Sequence, residues 1–326
     1  MTRLPLPALI GVTPLGFLAA LGVLRLVTRH LPTGPRPEAR LAWSPEDTSA
    51  VLMDAHADLD HLVADLRAVV AGVSDDAVLP GLSAHVPPPG EAPDKLRLSR
   101  GAFRPELERL LGAADDDSVA FAETEAWLSA LVTDLAVDDK GRAAISQWTA
   151  PAGKQSMRTM LEKPLDAVRR NPELLREALV AWRRHAGVTG EYLDHRALFD
   201  AVDSPDGKAS MRGVPGATWL ALMAHPLFRT TSVGARVVSS GWRSRRAVYP
   251  LWSHPLDMAG VSALLHHPVV AAATSATPSD GLTLLSIFRL VAVERLRVDG
   301  QKSAGALVPV SFDAGGPVTR TRRSAR

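Results

Sequence analysis

The sequence predicts an α+β protein, predominantly α-helical, with a small β-hairpin or sheet in its C-terminal half. Three observations lead there. Apolar residues recur at helical spacing in several windows, two of them opened by strong start signals at Thr13-Pro14 and Asn171-Pro172-Glu173. Strand-like runs occur only late, at Val237–Trp242, Arg246–Leu251 and Ala306–Phe312. The composition, 46% apolar and 22% charged, is that of a globular chain.

Taken in order, the first element is a buried helix. Thr13 is placed to cap it, Pro14 takes its first position, and Leu15, Leu18, Leu21 and Leu24 follow every third residue. Arg3 and the apolar stretch behind it have some features of a signal peptide. Pro5, Pro7 and Pro14 interrupt that stretch, and Arg25 ends it before a membrane span is reached. Leu59 to Val70 is a second helix, stopped by Gly72. Residues 79–101, with five prolines and three glycines, read as a turn-rich excursion. Asp115–Asp117 reads as a solvated loop end. Glu123–Val137 reads as an amphipathic helix with Trp127, Leu128, Leu131, Leu135 and Ala136 facing inward. A helix from Asn171-Pro172-Glu173 should run to about His185, and two more are expected over Val214–Ala224 and Asp280–Val298. Val237–Trp242 and Arg246–Leu251 form the expected hairpin, joined near Arg243–Arg245.

The net charge of +2 conceals an asymmetry. Residues 1–139 carry 11 Lys/Arg against 21 Asp/Glu, and the remainder carries 26 against 14. This suggests an acidic helix-rich lobe at 1–139, a basic α+β lobe at 140–312, and a disordered basic tail at 313–326. A basic lobe is the electrostatic footprint of nucleic-acid binding; the alternative is that the halves neutralise each other internally. Absence of cysteine excludes disulfides, iron–sulfur clusters and thiolate-held zinc, and suits a cytoplasmic protein.

No set of catalytic residues is recognisable. There is no Gly-x-Ser-x-Gly, Ser-x-x-Lys, His-Glu-x-x-His or His-Asp pair, so neither a catalytic assignment nor a cofactor follows. His56, Asp60 and His61 share a probable helix but lack further ligands. His225, His254 and His267 each precede a proline and read as turn residues. Gly153-Lys154-Gln155-Ser156 at a probable helix start could hold a phosphate, although it is not a Walker A loop. The candidate nucleic-acid contacts are Lys140, Arg142, Lys154, Gln155, Ser156, Arg158, Lys163, Arg169 and Arg170, whose cations need only be positioned near phosphates. To these are added Trp242, taken as the exposed tryptophan, with Arg243, Arg245 and Arg246.

Three stretches carry a family resemblance: Leu9–Val27 (LIGVTPLGFLAALGVLRLV), Asp138–Met160 (DDKGRAAISQWTAPAGKQSMRTM) and Arg212–Gly234 (RGVPGATWLALMAHPLFRTTSVG). Together they resemble actinobacterial proteins of type I-G (formerly I-U) CRISPR systems, including the nuclease–helicase extension group. The opening also resembles the start of that subtype's large effector subunit. The resemblance implies a role in antiviral interference, with DNA or RNA in a crRNA-guided complex and other CRISPR subunits, including the nuclease–helicase, as partners; the lack of a recognisable catalytic set makes the expected role a non-catalytic one. Two other readings stand beside it. One is a protein-only scaffold docking its acidic lobe on a basic subunit, and the other an enzyme acting on a phosphorylated ligand at Gly153–Ser156.

Overall fold

The prolines that interrupt the N-terminal stretch belong to a strand. In β1 (Arg3–Ile10), Leu4, Leu6 and Leu9 are buried while Arg3, Pro5 and Pro7 face outward. This is an edge strand, where a missing N–H does no harm. The computed structural model describes residues 2–31, 38–90, 96–114, 117–151, 155–188, 190, 192–196, 212–296 and 305–312. The expected tail at 313–326 therefore lies outside the described residues.

After β1 come α1 (Pro14–Arg29), β2 (Arg40–Trp43), β3 (Ser49–Met53), α2 (Leu59–Ala71), α3 (Arg100–Gly112), α4 (Ser118–Leu131), β4 (Val132–Val137) and β5 (Ala143–Ile145). Then follow α5 (Met157–Arg170), α6 (Glu173–Val180), β6 (His185–Ala186), β7 (Arg212–Gly213), α7 (Pro215–Leu222), a 3-10 turn (His225–Leu227), β8 (Thr230–Val233) and β9 (Arg236–Ser239). The chain continues through β10 (Trp242–Arg243), β11 (Arg246–Trp252), α8 (Met258–Leu265), α9 (Pro268–Ala271), α10 (Asp280–Thr283), β12 (Ile287–Leu296) and β13 (Ala306–Val310).

The expectation of a predominantly helical chain with one small sheet is thus corrected. The described residues form five antiparallel sheets: β1-β3-β2, β10-β11-β12-β13, and the ribbons β4-β5, β6-β7 and β8-β9. Two expected helices are partly strand. The helix from Glu123 ends at Leu131, and Val132 continues as β4, which leaves Leu135 49% exposed instead of inward. In the segment from Asp280 only one helical turn forms. Ser286 then takes a left-handed φ of 60°, and Ile287–Leu296 pairs along β11. Leu284, in the turn that follows the helix, is 87% exposed. The helix after Asn171 stops at Val180, short of His185.

The expected first strand of the hairpin, Val237–Trp242, is divided: Val237–Ser239 pair with β8, and only Trp242 and Arg243 pair with β11. The first helix begins as its sequence predicts. Gly16 N–H donates to Thr13 Oγ1 at 3.2 Å, and Pro14 begins α1. That helix is buried from Pro14 to Val27, as a helix apolar on all sides must be. It packs on α7, itself buried throughout. Phe17 stacks on Tyr249 at 3.9 Å and lies 5.6 Å from Trp43, joining the three-stranded sheet to the four-stranded one. Trp252 Nε1–H donates to Leu41 O, and Leu41 and Leu256 exchange backbone hydrogen bonds. One main hydrophobic cluster runs from Leu4 to Leu307, so the charge boundary near residue 140 coincides with no gap in the core. Among the described residues, no helix is long and apolar enough to cross a membrane.

Candidate nucleic-acid interface

The basic residues of α5 are positioned by its start. Ser156 Oγ accepts from Thr159 N–H, and Thr159 Oγ1 accepts from Ser156 N–H, a reciprocal capping box. Buried Ser156 is therefore engaged in beginning a helix. One turn in, Arg158 donates to the carbonyls of Ala84 (2.6 Å), Pro87 (3.2 Å) and Asp76. Arg169 donates to those of Val73 (2.6 Å) and Ser74 (2.8 Å). The segment after α2 has few backbone partners of its own, so these guanidinium groups satisfy carbonyls that neither helix nor sheet serves. Gln155 is half-buried, while Lys163 and Arg170 are exposed on α5. Lys154, and with it the Gly153–Ser156 phosphate-loop reading, lies outside the described residues.

The next group is built around one carboxylate. Asp138 accepts from Arg142 Nε (2.9 Å) and Nη2 (2.7 Å), from Arg97 Nη2 (2.5 Å), and from the backbone N–H groups of Lys140 and Arg142. Desolvation alone would raise this carboxyl. The hydrogen bonds from Arg142 and the turn amides outweigh it and hold Asp138 at about 2. Arg142 is thus bound inside the turn between β4 and β5, whereas Lys140 is exposed beside it.

On the β10–β11 hairpin the residues divide again. Trp242, expected to be exposed, is 6% exposed and meets Trp148 edge-on at 5.7 Å. Its ring completes an aromatic layer with Phe228 under the hairpin, which is why it points inward. Arg246 bonds Glu294 Oε1 at 3.2 Å and the carbonyl of Phe312. Arg243 and Arg245 flank Ser244, whose φ of 59° makes the turn, and both are exposed.

Two residues absent from the sequence reading join them. Arg229 and Arg236 frame the preceding β8–β9 hairpin and are also exposed. Among the described residues, none of Arg229, Arg236, Arg243 and Arg245 has an acidic partner for its side chain. A sequence signal marks this region: no Asp or Glu occurs between Asp206 and Asp257. The two hairpins are fixed from below. Ser239 Oγ lies 3.1 Å from both Ser146 Oγ and Thr230 Oγ1, and Thr230 donates to Ala130 O at 2.8 Å. Trp148 Nε1–H donates to Ser240 O at 2.8 Å. A buried, satisfied network of this kind holds its elements in one arrangement.

The predicted surface therefore separates into two groups. Lys163 and Arg170 lie on α5, which packs on α2, α6 and α7, while Arg243 and Arg245 share the hairpin pair with Arg229 and Arg236. The histidines are engaged separately. His56 Nε2 lies 2.8 Å from Asp65 and His61 Nδ1 2.9 Å from Asp58, so the two imidazoles face different carboxylates. Among the described residues, no group of three or more His, Asp and Glu is placed to hold a metal ion. No family model matches the sequence, and no curated protein shows significant similarity to it.

Proposed function

We propose that this chain is a non-catalytic component of a type I-G CRISPR interference system in the cytoplasm. It binds nucleic acid, or a nucleic-acid-bound effector complex, through the paired hairpins of its basic half. The observation that carries the binding part is the set Arg229, Arg236, Arg243 and Arg245: exposed, without carboxylate partners among the described residues, and on hairpins anchored by a buried network. Phosphate contacts require cations that are positioned and unpaired, and these meet both conditions. Arg142, Arg158, Arg169 and Arg246 are bound to carboxylates and carbonyls of the protein itself and are not part of that set. The pathway part rests on the three resembling stretches, and it makes a crRNA-guided complex and the nuclease–helicase the partners.

Fluorescence anisotropy with labelled duplex DNA, single-stranded DNA and RNA tests the proposal. Binding at low salt should weaken steeply as salt rises, because each neutralised phosphate releases counterions. Absence of binding to all three, alone and with effector subunits, would overturn it.

A further inference from the structure

A second candidate site is formed by other residues. Helices α1, α4 and α8 and the 3-10 turn enclose an open cleft of about 500 Å3. That volume falls within the range of roughly 300–1,000 Å3 common for small-molecule sites. Its inner wall holds a buried charged pair. Arg25, 3% exposed, is bonded to Glu123 and donates to Met223 O, with its guanidinium 5.4 Å from the Trp127 ring centre. Burying such a pair costs desolvation that its mutual attraction often fails to recover.

The pair also leaves acceptor capacity unused. Glu123 Oε2 takes Arg25, and His30 Nε2 stands 4.0 Å from the same oxygen. Glu123 Oε1 has no partner among the described residues, and it is not sealed from solvent, so it faces the cleft. One turn along α1, exposed Arg29 lines the cleft, as does exposed Glu38, and neither side chain has an ionic or hydrogen-bond partner among the described residues. Leu227 and Met258 contribute an apolar wall.

The charge pattern selects the ligand class. An anion would meet Glu38 and Glu123, and a cation would meet Arg25 and Arg29. Only a dipolar molecule with both charges gains at each end without repulsion at the other. We infer that this cleft binds a small zwitterion with an aliphatic side chain, its carboxylate on Arg29 and its ammonium on Glu38 and Glu123 Oε1. A free α-amino acid and a short peptide share this chemistry, and both fit the volume.

Calorimetric titration of the full-length chain distinguishes the outcomes. The probes are L-leucine, L-leucyl-L-leucine, L-leucinamide, which lacks the carboxylate, and N-acetyl-L-leucine, which lacks the ammonium. Leucine or the dipeptide should bind with a dissociation constant of roughly 1 mM or tighter, and both blocked compounds about tenfold or more weaker. Binding by leucine alone assigns a free amino acid, and binding by the dipeptide alone assigns a peptide. R29A and E38Q, both at exposed positions, should each weaken the zwitterion by about tenfold. The inference is overturned if N-acetyl-leucine or leucinamide binds as tightly as the zwitterions. It is equally overturned if no probe binds, or if R29A and E38Q both leave affinity unchanged.

Discussion

Replacing Gly22 with alanine should destabilise the protein although it improves helix propensity. In α1 a Cβ at Gly22 would stand 1.7 Å from Leu220 O and 2.7 Å from Leu220 C, where ordinary contact begins at 3.4 Å. The obstacle is the backbone of α7, so no rotamer change relieves it, and the helices must separate by well over an ångström. Both helices are buried along most of their length, so separating them opens gaps elsewhere in the core. Alanine over glycine in a helix interior favours folding by about 1 kcal/mol. Overpacking against it costs about 1–3 kcal/mol and sometimes more, and a rigid backbone contact belongs at the upper end. The expected net loss is about 2 kcal/mol. Urea unfolding followed by tryptophan fluorescence reads this as a lower midpoint at unchanged slope. Gly101→Ala serves as the control: it lies in the first turn of α3 with nothing within 4 Å of a new Cβ, and should be neutral or slightly stabilising. If G22A unfolded at or above the wild-type midpoint, the close approach of α1 and α7 would be refuted.

Two further outcomes are expected. Leu18→Ala, at a fully buried position on α1, should cost about 2–5 kcal/mol through lost burial and a cavity. A wild-type melting temperature with lost partner association would instead make that helix face an interaction surface. Burial drives His225 down to about 4, although the Leu222 carbonyl 3.0 Å from Nδ1 favours the protonated ring. Its depressed pKa means that the unfolded chain binds the extra proton first. Stability contributed by neutral His225 is therefore complete above about 6.5 and declines as pH falls towards about 4, by up to about 1.4 kcal/mol per pH unit. His225→Gln should flatten that slope in pH-dependent denaturation, and identical slopes would contradict the assignment.

Features governed by local chemistry were legible in the sequence. Thr13 before Pro14 marks a helix start because cap and first-turn geometry depend on neighbouring residues, and α1 begins there. The turn at Arg243–Arg245 and the strand at Ala306 are similarly local. Strands whose formation depends on distant partners were not legible. Pro5 and Pro7 argue against regular structure until the edge position of β1 is known. Ile287–Leu296 can be read at helical period, and its pairing with Tyr249 and its neighbours decides otherwise. The site follows the same division. Sequence identifies arginines but not whether they are free, since Arg158 finds carbonyls 71 and 74 residues away and Arg169 finds them 95 and 96 away. The acid-free interval between Asp206 and Asp257 was visible throughout, and it marks Arg229 and Arg236 together with Arg243 and Arg245.

Whether the exposed arginines of the two hairpins contact phosphate, as proposed, is tested most directly by the salt dependence of binding by charge variants. Alanine at Arg236, Arg243 and Arg245 together should weaken nucleic-acid affinity and lower the slope of log K against log salt by roughly 0.9 per lost contact on duplex DNA. Alanine at Lys163 and Arg170 on α5 should leave that slope nearly unchanged. An undiminished slope in the hairpin variant, with the protein still folded, would contradict the account.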